Sequence, residues 1–148
     1  MEKFNSQLLE SEVNRLVSKK MRSNDLLVLR ELRLHPSEID LVIFDRETLR
    51  LATFEIKRNN WRALMDQAVR AKLYSHFSSA ILPISMRSNV PENEFSQRGL
   101  GLIFYEETVD EIDLKLVIQP KLSDSINRSL KQQVYRRFYE HYGEKMYA

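Results

Sequence analysis

Four polar side chains within one segment of the 148-residue chain are of types that carry out chemistry: Asp40, Glu55, Lys57 and Gln67. The segment 38–74 predicts two strands joined by a short polar turn and followed by a helix. Ionised groups that leave water are costly unless they are paired or bind a metal ion. We therefore expect the charged members of this set to serve a functional site rather than packing.

The register of the predicted hairpin brings two of these carboxylates together. The run 51–57 alternates so that Glu55 and Lys57 share one face of the sheet. If the strands pair antiparallel around a turn near residues 47–48, Asp40 lies opposite about position 55. Two carboxylates on adjacent strands, with room for waters and a phosphate oxygen, are a usual way to hold Mg²⁺. Lys57 would then add a fixed positive charge beside the developing charge on phosphorus.

The sequences EID at 38–40 and EIK at 55–57 resemble the motif of the PD-(D/E)xK nuclease superfamily, whose fold is called restriction-endonuclease-like. Members of that superfamily also tend to carry an acidic residue on the preceding helix and a Gln on the following helix. Glu12 and Gln67 stand at those places. The resemblance implies one α/β domain with a central mixed β-sheet flanked by helices. It departs from the common motif at Ile39, where the family often has Pro.

The resemblance also implies roles for individual residues. The catalytic set that it implies is Asp40, Glu55, Lys57 and Gln67. The implied ligands of a Mg²⁺ ion, with Mn²⁺ as the other candidate, are Asp40, Glu55, the carbonyl group of Ile56, and Glu12. In the family the Gln helps to orient the site or the DNA backbone, although Gln67 also suits an ordinary surface amide because Gln is a common helix former.

Glu12 lies in the apolar stripe of the first predicted helix, residues 2–21. At about 100° per residue it falls between Leu8 and Leu16. An acid on an inward face needs a partner. Two partners stay open: a metal ion, reached through water, or an Arg side chain.

Basic residues that follow the motif are expected to neutralise the phosphates of DNA without reading its sequence. They are Arg58, Arg62 and Arg70. The expected function is a Mg²⁺-dependent DNA endonuclease or exonuclease in repair, recombination or restriction. Two other functions stay open. One is a nucleic-acid-binding module of the same fold without chemistry, and the other is an unrelated hydrolase or structural protein in which Glu55 and Lys57 form a salt bridge with Asp40.

The amino-acid composition further restricts the class of protein and the kinds of site that the chain can form. With 43% hydrophobic residues, three Gly and four Pro, the 148 residues indicate one globular domain. No run of about 18 apolar residues is present, which predicts no membrane partner. The chain has no Cys, which excludes disulfides and thiolate metal sites and fits a cytoplasmic location. The net charge of +2 is too small to indicate nucleic acid by itself.

The rest of the chain supplies further predicted elements around a core of about residues 5–120. Strands are expected in four more places: 26–34, 79–84, 102–107 and 114–118. The helix after the hairpin is expected over 61–77, with Asn60 as its N-cap. A basic and aromatic helix is expected over 123–147, capped by Ser123. For this last helix, core packing, a homodimer interface and nucleic-acid contact all stay open.

Overall fold

The computed structural model of the chain describes residues 8–109 and 111–147. Over these residues the main elements are α1 (Glu10–Met21), β1 (Leu26–Leu34), β2 (Ser37–Asp45), β3 (Arg50–Ile56), α2 (Trp61–Ala71), β4 (Phe77–Pro83), α3 (Glu92–Gln97), β5 (Gly101–Thr108), β6 (Glu111–Ile118) and α4 (Arg128–Tyr142). The order of the six strands and of helices α1, α2 and α4 is the one predicted from the sequence. Residues 2–7 of the first predicted helix lie outside the described part of the chain.

All six strands belong to one sheet, in the order β1-β2-β3-β4-β5-β6. The two central pairings, β3 with β4 and β4 with β5, are parallel, and the outer pairings are antiparallel. Helix α1 packs on one face of this sheet, while α2 and α4 pack on the other. The predicted α/β class, with a mixed sheet flanked by helices, is therefore confirmed. Among the described residues, no helix combines the length and the hydrophobicity needed to cross a bilayer.

Helix α2 begins as predicted but ends earlier. The side-chain oxygen of Asn60 accepts a hydrogen bond from the Ala63 N–H at 3.2 Å, which confirms the predicted N-cap. The helix ends at Ala71, six residues before the predicted end. The backbone N–H of His76 donates to the Leu51 carbonyl at 2.9 Å, so the chain has already turned towards the sheet there. Tertiary pairing thus outweighs the helical pattern of the sequence.

Helix α4 begins at Arg128, and its N-cap is Asn127 rather than the predicted Ser123. The side chain of Asn127 accepts a hydrogen bond from the Leu130 N–H at 3.1 Å. The hydroxyl of Ser123 instead donates to the Lys72 carbonyl at 2.7 Å, which ties the preceding loop to the end of α2. The Ser123 hydroxyl is therefore used in a loop contact and not in a cap.

In β1 and β2 the alternation of side chains between the two faces of the sheet is interrupted. Strict alternation along β1 predicts that Leu29 and Leu32 face opposite sides of the sheet. Both instead pack in the cluster beneath α4, because Glu31 between them has φ +52° and reverses the alternation. Across the ladder, Arg30 pairs with Leu41 and Leu32 with Ile39, whereas no pairing joins the intervening Glu31 and Asp40. Asp40 therefore lies at an irregularity of the sheet.

The outer edge of β1 is covered by the hydroxyl of Tyr142 on α4. This hydroxyl accepts a hydrogen bond from the Val28 N–H at 3.2 Å and donates one to the Val28 carbonyl at 2.6 Å. Within the described part of the chain β1 is an edge strand, and the Tyr142 hydroxyl satisfies both outward backbone groups of Val28.

The substitution Tyr142→Phe is expected to lower the free energy of unfolding by about 1–2 kcal/mol, because it leaves a backbone donor and acceptor without their partner. Urea denaturation measures the change. Tyr139→Phe on the same helix is the control, since the Tyr139 side chain is 52% exposed. Equal effects of the two substitutions would contradict the role given to the Tyr142 hydroxyl.

Candidate functional site

The hairpin of β2 and β3 has the register that the sequence predicts. Leu41 pairs with Phe54, which sets Asp40 opposite Glu55, and the chain turns within residues 46–49. The ladder begins at the Leu41 and Phe54 pair, so Asp40 and Glu55 lie where the two strands part. Their backbone groups therefore need other partners there.

Each carboxylate bonds to the backbone beside the other. Glu55 Oε1 accepts a hydrogen bond from the Asp40 N–H at 3.3 Å, and Asp40 Oδ2 accepts one from the Ile56 N–H at 2.8 Å. Glu55 is only 3% exposed, and Asp40 is half-buried. The two carboxylates are thus neighbours at the open end of the β2–β3 pair.

Burial disfavours the ionised form of both carboxyl groups. Burial, followed by the charge of Asp40, raises the pKa of Glu55 to about 8, against the opposing effects of the Asp40 N–H, Lys57 and Arg70. Burial also raises the pKa of Asp40, although the Ile56 N–H and the charge of Lys57 oppose the increase. Within the described residues neither carboxylate forms a salt bridge. A nearby cation would therefore stabilise the ionised pair.

Two adjoining clefts flank the carboxylates. Asp40 lines a cleft of about 180 Å³ on the α1 side, together with Glu10, Ser11, Asn14, Glu31, Glu38 and Ile56. Glu55 lines a cleft of about 400 Å³ on the α2 side, which also contains Gln67, Arg70 and Tyr74. Glu38 borders both clefts. Gln67 and Arg70 thus line the same cleft as Glu55.

The inward position predicted for Glu12 is wrong. Glu12 is exposed, and its Oε1 accepts a hydrogen bond from the Leu9 N–H at 3.3 Å at the start of α1. Besides the predicted apolar residues, α1 buries Asn14 and Ser18, so its inner face is rotated by about one residue from the predicted stripe. Glu10 lines the smaller cleft instead, and its Oε1 accepts from the Arg58 N–H at 3.3 Å.

The three predicted phosphate-binding Arg residues separate in the structure. Arg70 lines the larger cleft beside Glu55. Arg58 donates through Nη1 to the Leu8 carbonyl at 3.0 Å and so is held towards α1. Arg62 lies over the ring of Trp61, 5.1 Å from its centroid, and lines neither cleft.

The oxygen donors at the site suit a hard divalent cation, although they are few. Asp40 and Glu55 supply carboxylate oxygens, which Mg²⁺ prefers, and Ile56 adjoins Asp40 in the smaller cleft. Across residues 8–109 and 111–147, no three Asp, Glu or His side chains are grouped so that they could hold a metal ion. Mg²⁺ commonly uses only one or two carboxylates and completes its shell with water and substrate phosphates. The pair therefore fits such an ion as a partial shell.

Asn14 is a site residue that the sequence pattern did not reveal. It is 3% exposed and bonds to the backbone of Asp40. The available signal was an amide between Val13 and Val17, on the apolar side of α1, where a polar group needs a partner.

Comparisons with known proteins support the fold alone. No protein-family model matches this chain, and no curated protein matches it. One solved structure with a similar fold is a protein of unknown function from Silicibacter pomeroyi, with a TM-score of 0.66 and 10% sequence identity. The match covers 95% of this chain and 91% of that protein. At this identity the similarity concerns the path of the backbone and carries no activity with it.

Proposed function

We propose that this protein is a Mg²⁺-dependent nuclease that hydrolyses phosphodiester bonds of DNA. The observation that carries the proposal is the pair of buried carboxylates, Asp40 and Glu55, each bonded to the backbone beside the other. Because the pair forms no salt bridge within the described residues, its ionised form is unfavourable unless a cation accompanies it. Its place at the parting of two strands leaves clefts on both sides for a substrate.

A bound Mg²⁺ or Mn²⁺ ion would supply Lewis-acid polarisation of the phosphodiester. Asp40 and Glu55 would hold it, with the Ile56 carbonyl as a further oxygen donor. Lys57 follows directly on β3, and its charge lowers the pKa of both carboxylates. Lys57 therefore favours the ionised form of the pair, which binds the cation, and provides a positive charge for the phosphorane-like transition state.

The substrate side of the proposal rests on the larger cleft. Arg70 provides positive charge at this cleft, and the amide of Gln67 provides both a donor and an acceptor. Contacts of this kind position a sugar–phosphate backbone and do not distinguish one base sequence from another. We propose DNA as the substrate, in repair, recombination or restriction, with Arg70 and Gln67 contacting its backbone.

The proposal predicts cleavage of at least one DNA in a panel of supercoiled, single-stranded, flapped and branched molecules. Cleavage is expected with Mg²⁺ or Mn²⁺ and is expected to stop when EDTA removes the ion. The measurement is the rate of product formation on denaturing gels for each DNA and ion. Failure to cut every member of the panel with either ion would overturn the proposal.

One observation favours a second function, a nucleic-acid-binding module without chemistry. It is the lack of a third acidic or His ligand among the described residues at the carboxylate pair. Calorimetric titration with Mg²⁺ separates the two functions. Heat of binding that disappears in Glu55→Gln supports the nuclease, whereas DNA binding without any Mg²⁺ binding supports the module.

A further inference from the structure

A buried amide on α1 holds the backbone of Asp40. Asn14 Nδ2 donates to the Asp40 carbonyl oxygen at 2.7 Å. Asn14 Oδ1 accepts from Arg30 Nε at 2.8 Å, and Arg30 Nη2 donates to the Ser11 carbonyl at 3.2 Å. Both ends of the Asn14 amide are therefore used, and Arg30 fixes which end faces Asp40 because a guanidinium can only donate.

Asp40 depends on such contacts because it lies outside the regular pairings. No pairing joins it to Glu31 on β1, and the ladder with β3 begins one residue later. Its N–H donates to Glu55, its carboxylate accepts from Ile56, and its carbonyl accepts from Asn14. Three bonds from three different residues thus set the orientation of the Asp40 backbone and carboxylate.

We propose that Asn14, oriented by Arg30, is a positioning residue that sets the Asp40 carboxylate for cation binding. This inference rests on the nuclease function proposed above. Groups that hold a metal ligand without touching the metal typically change metal affinity by about 10- to 100-fold when they are replaced. Asn14 contacts the backbone of Asp40 and therefore acts through that residue.

Two substitutions separate positioning from simple packing. Asn14→Leu removes both hydrogen bonds at similar volume. Asn14→Asp keeps an acceptor for Arg30 but turns a second acceptor towards the Asp40 carbonyl, and it preserves the polar contact if Asn14→Leu fails to fold. The matched control is Ser18→Ala, one turn further along α1 at a site that is 2% exposed.

The first readout needs neither metal nor activity. The Ile56 N–H donates to Asp40 Oδ2, so its hydrogen exchange reports the position of that carboxylate. We expect this exchange to be about 10-fold faster in both Asn14 variants than in Ser18→Ala, which is the loss of roughly one hydrogen bond. We also expect the Kd for Mg²⁺, measured by calorimetry, to rise by about 10-fold or more. The KM for DNA should stay unchanged.

The outcomes distinguish the two proposals. The role of Asn14 would be overturned if the Asn14 variants matched Ser18→Ala within about twofold in both the hydrogen-exchange rate of the Ile56 N–H and the Kd for Mg²⁺. If the unsubstituted protein binds no Mg²⁺ and cuts no DNA, the nuclease proposal fails and the assignment to cation binding fails with it. Faster exchange of the Ile56 N–H would then still show that Asn14 orients the carboxylate.

Discussion

Replacing Lys57 with Ala is expected to slow DNA cleavage by about 100- to 1,000-fold, the usual effect of removing one group that stabilises transition-state charge. The side chain of Lys57 is half-buried at the end of β3, immediately after Glu55 and Ile56. Its charge opposes the raised pKa of both carboxylates, so its loss weakens both the ionised pair and the stabilisation of the phosphate charge. Single-turnover rates with saturating metal measure the effect on the chemical step.

The fold should survive this substitution. The backbone N–H of Lys57 donates to the Ile81 carbonyl at 3.1 Å, and Ala retains that bond. Circular dichroism and urea denaturation check folding, and Lys19→Ala on the exposed side of α1 is the control for loss of a positive charge. Lys57→Arg should recover part of the rate because it restores the charge. A Lys57→Ala protein that cuts as fast as the unsubstituted one would refute the catalytic role.

The second prediction concerns stability and pH in the presence of EDTA. Burial raises the pKa of Glu55 from 4.5 to about 8, so the folded state binds more protons than the unfolded state between these values. The free energy of unfolding must then decrease as the pH rises from about 4.5 to 8. Glu55→Gln removes this decrease and should be more stable than the unsubstituted protein at pH 8, by up to about 4 kcal/mol. The same substitution should abolish cleavage.

Urea denaturation between pH 5 and pH 8 provides the measurement, with Glu106→Gln on the exposed side of β5 as the control. The Gln amide oxygen can still accept the hydrogen bond from the Asp40 N–H, so the comparison isolates the charge of residue 55. Parallel stability profiles for the unsubstituted protein and Glu55→Gln would show that this carboxylate stays ionised at no cost. That result would remove the electrostatic argument for a cation at the site.

Local patterns in the sequence were sufficient to predict that Asp40 and Glu55 lie opposite each other at the centre of the site. Asp40 and Glu55 belong to one hairpin, and the short turn between the strands determines which residues face each other. The family resemblance pointed to Gln67 on the following helix, and this residue lines the same cleft as Glu55. These relations involve neighbours along the chain, so residue types and spacing carry them.

Relations between distant segments could not be predicted in this way. Whether Glu10 or Glu12 lines the smaller cleft depends on how α1 is rotated about its own axis against the sheet. A shift of one residue along a helix corresponds to a rotation of about 100°. The contact of Asn14 with Asp40 joins a helix to a strand through a single hydrogen bond. The reversal at Glu31 requires a positive φ in a residue type that rarely adopts one, so nothing in the strand pattern indicated it.

The hydrogen bonds between Tyr142 and Val28 limit how far the chain can be shortened from its C-terminal side. Val134, Phe138 and Met146 are fully buried against the sheet, so the last helix belongs to the hydrophobic core. A version that stops before residue 128 would keep both carboxylates of the site. It would also expose an apolar surface and an open strand edge, which favours self-association between copies. The last helix therefore sets how short the chain can be without self-association, although none of its residues lines either cleft.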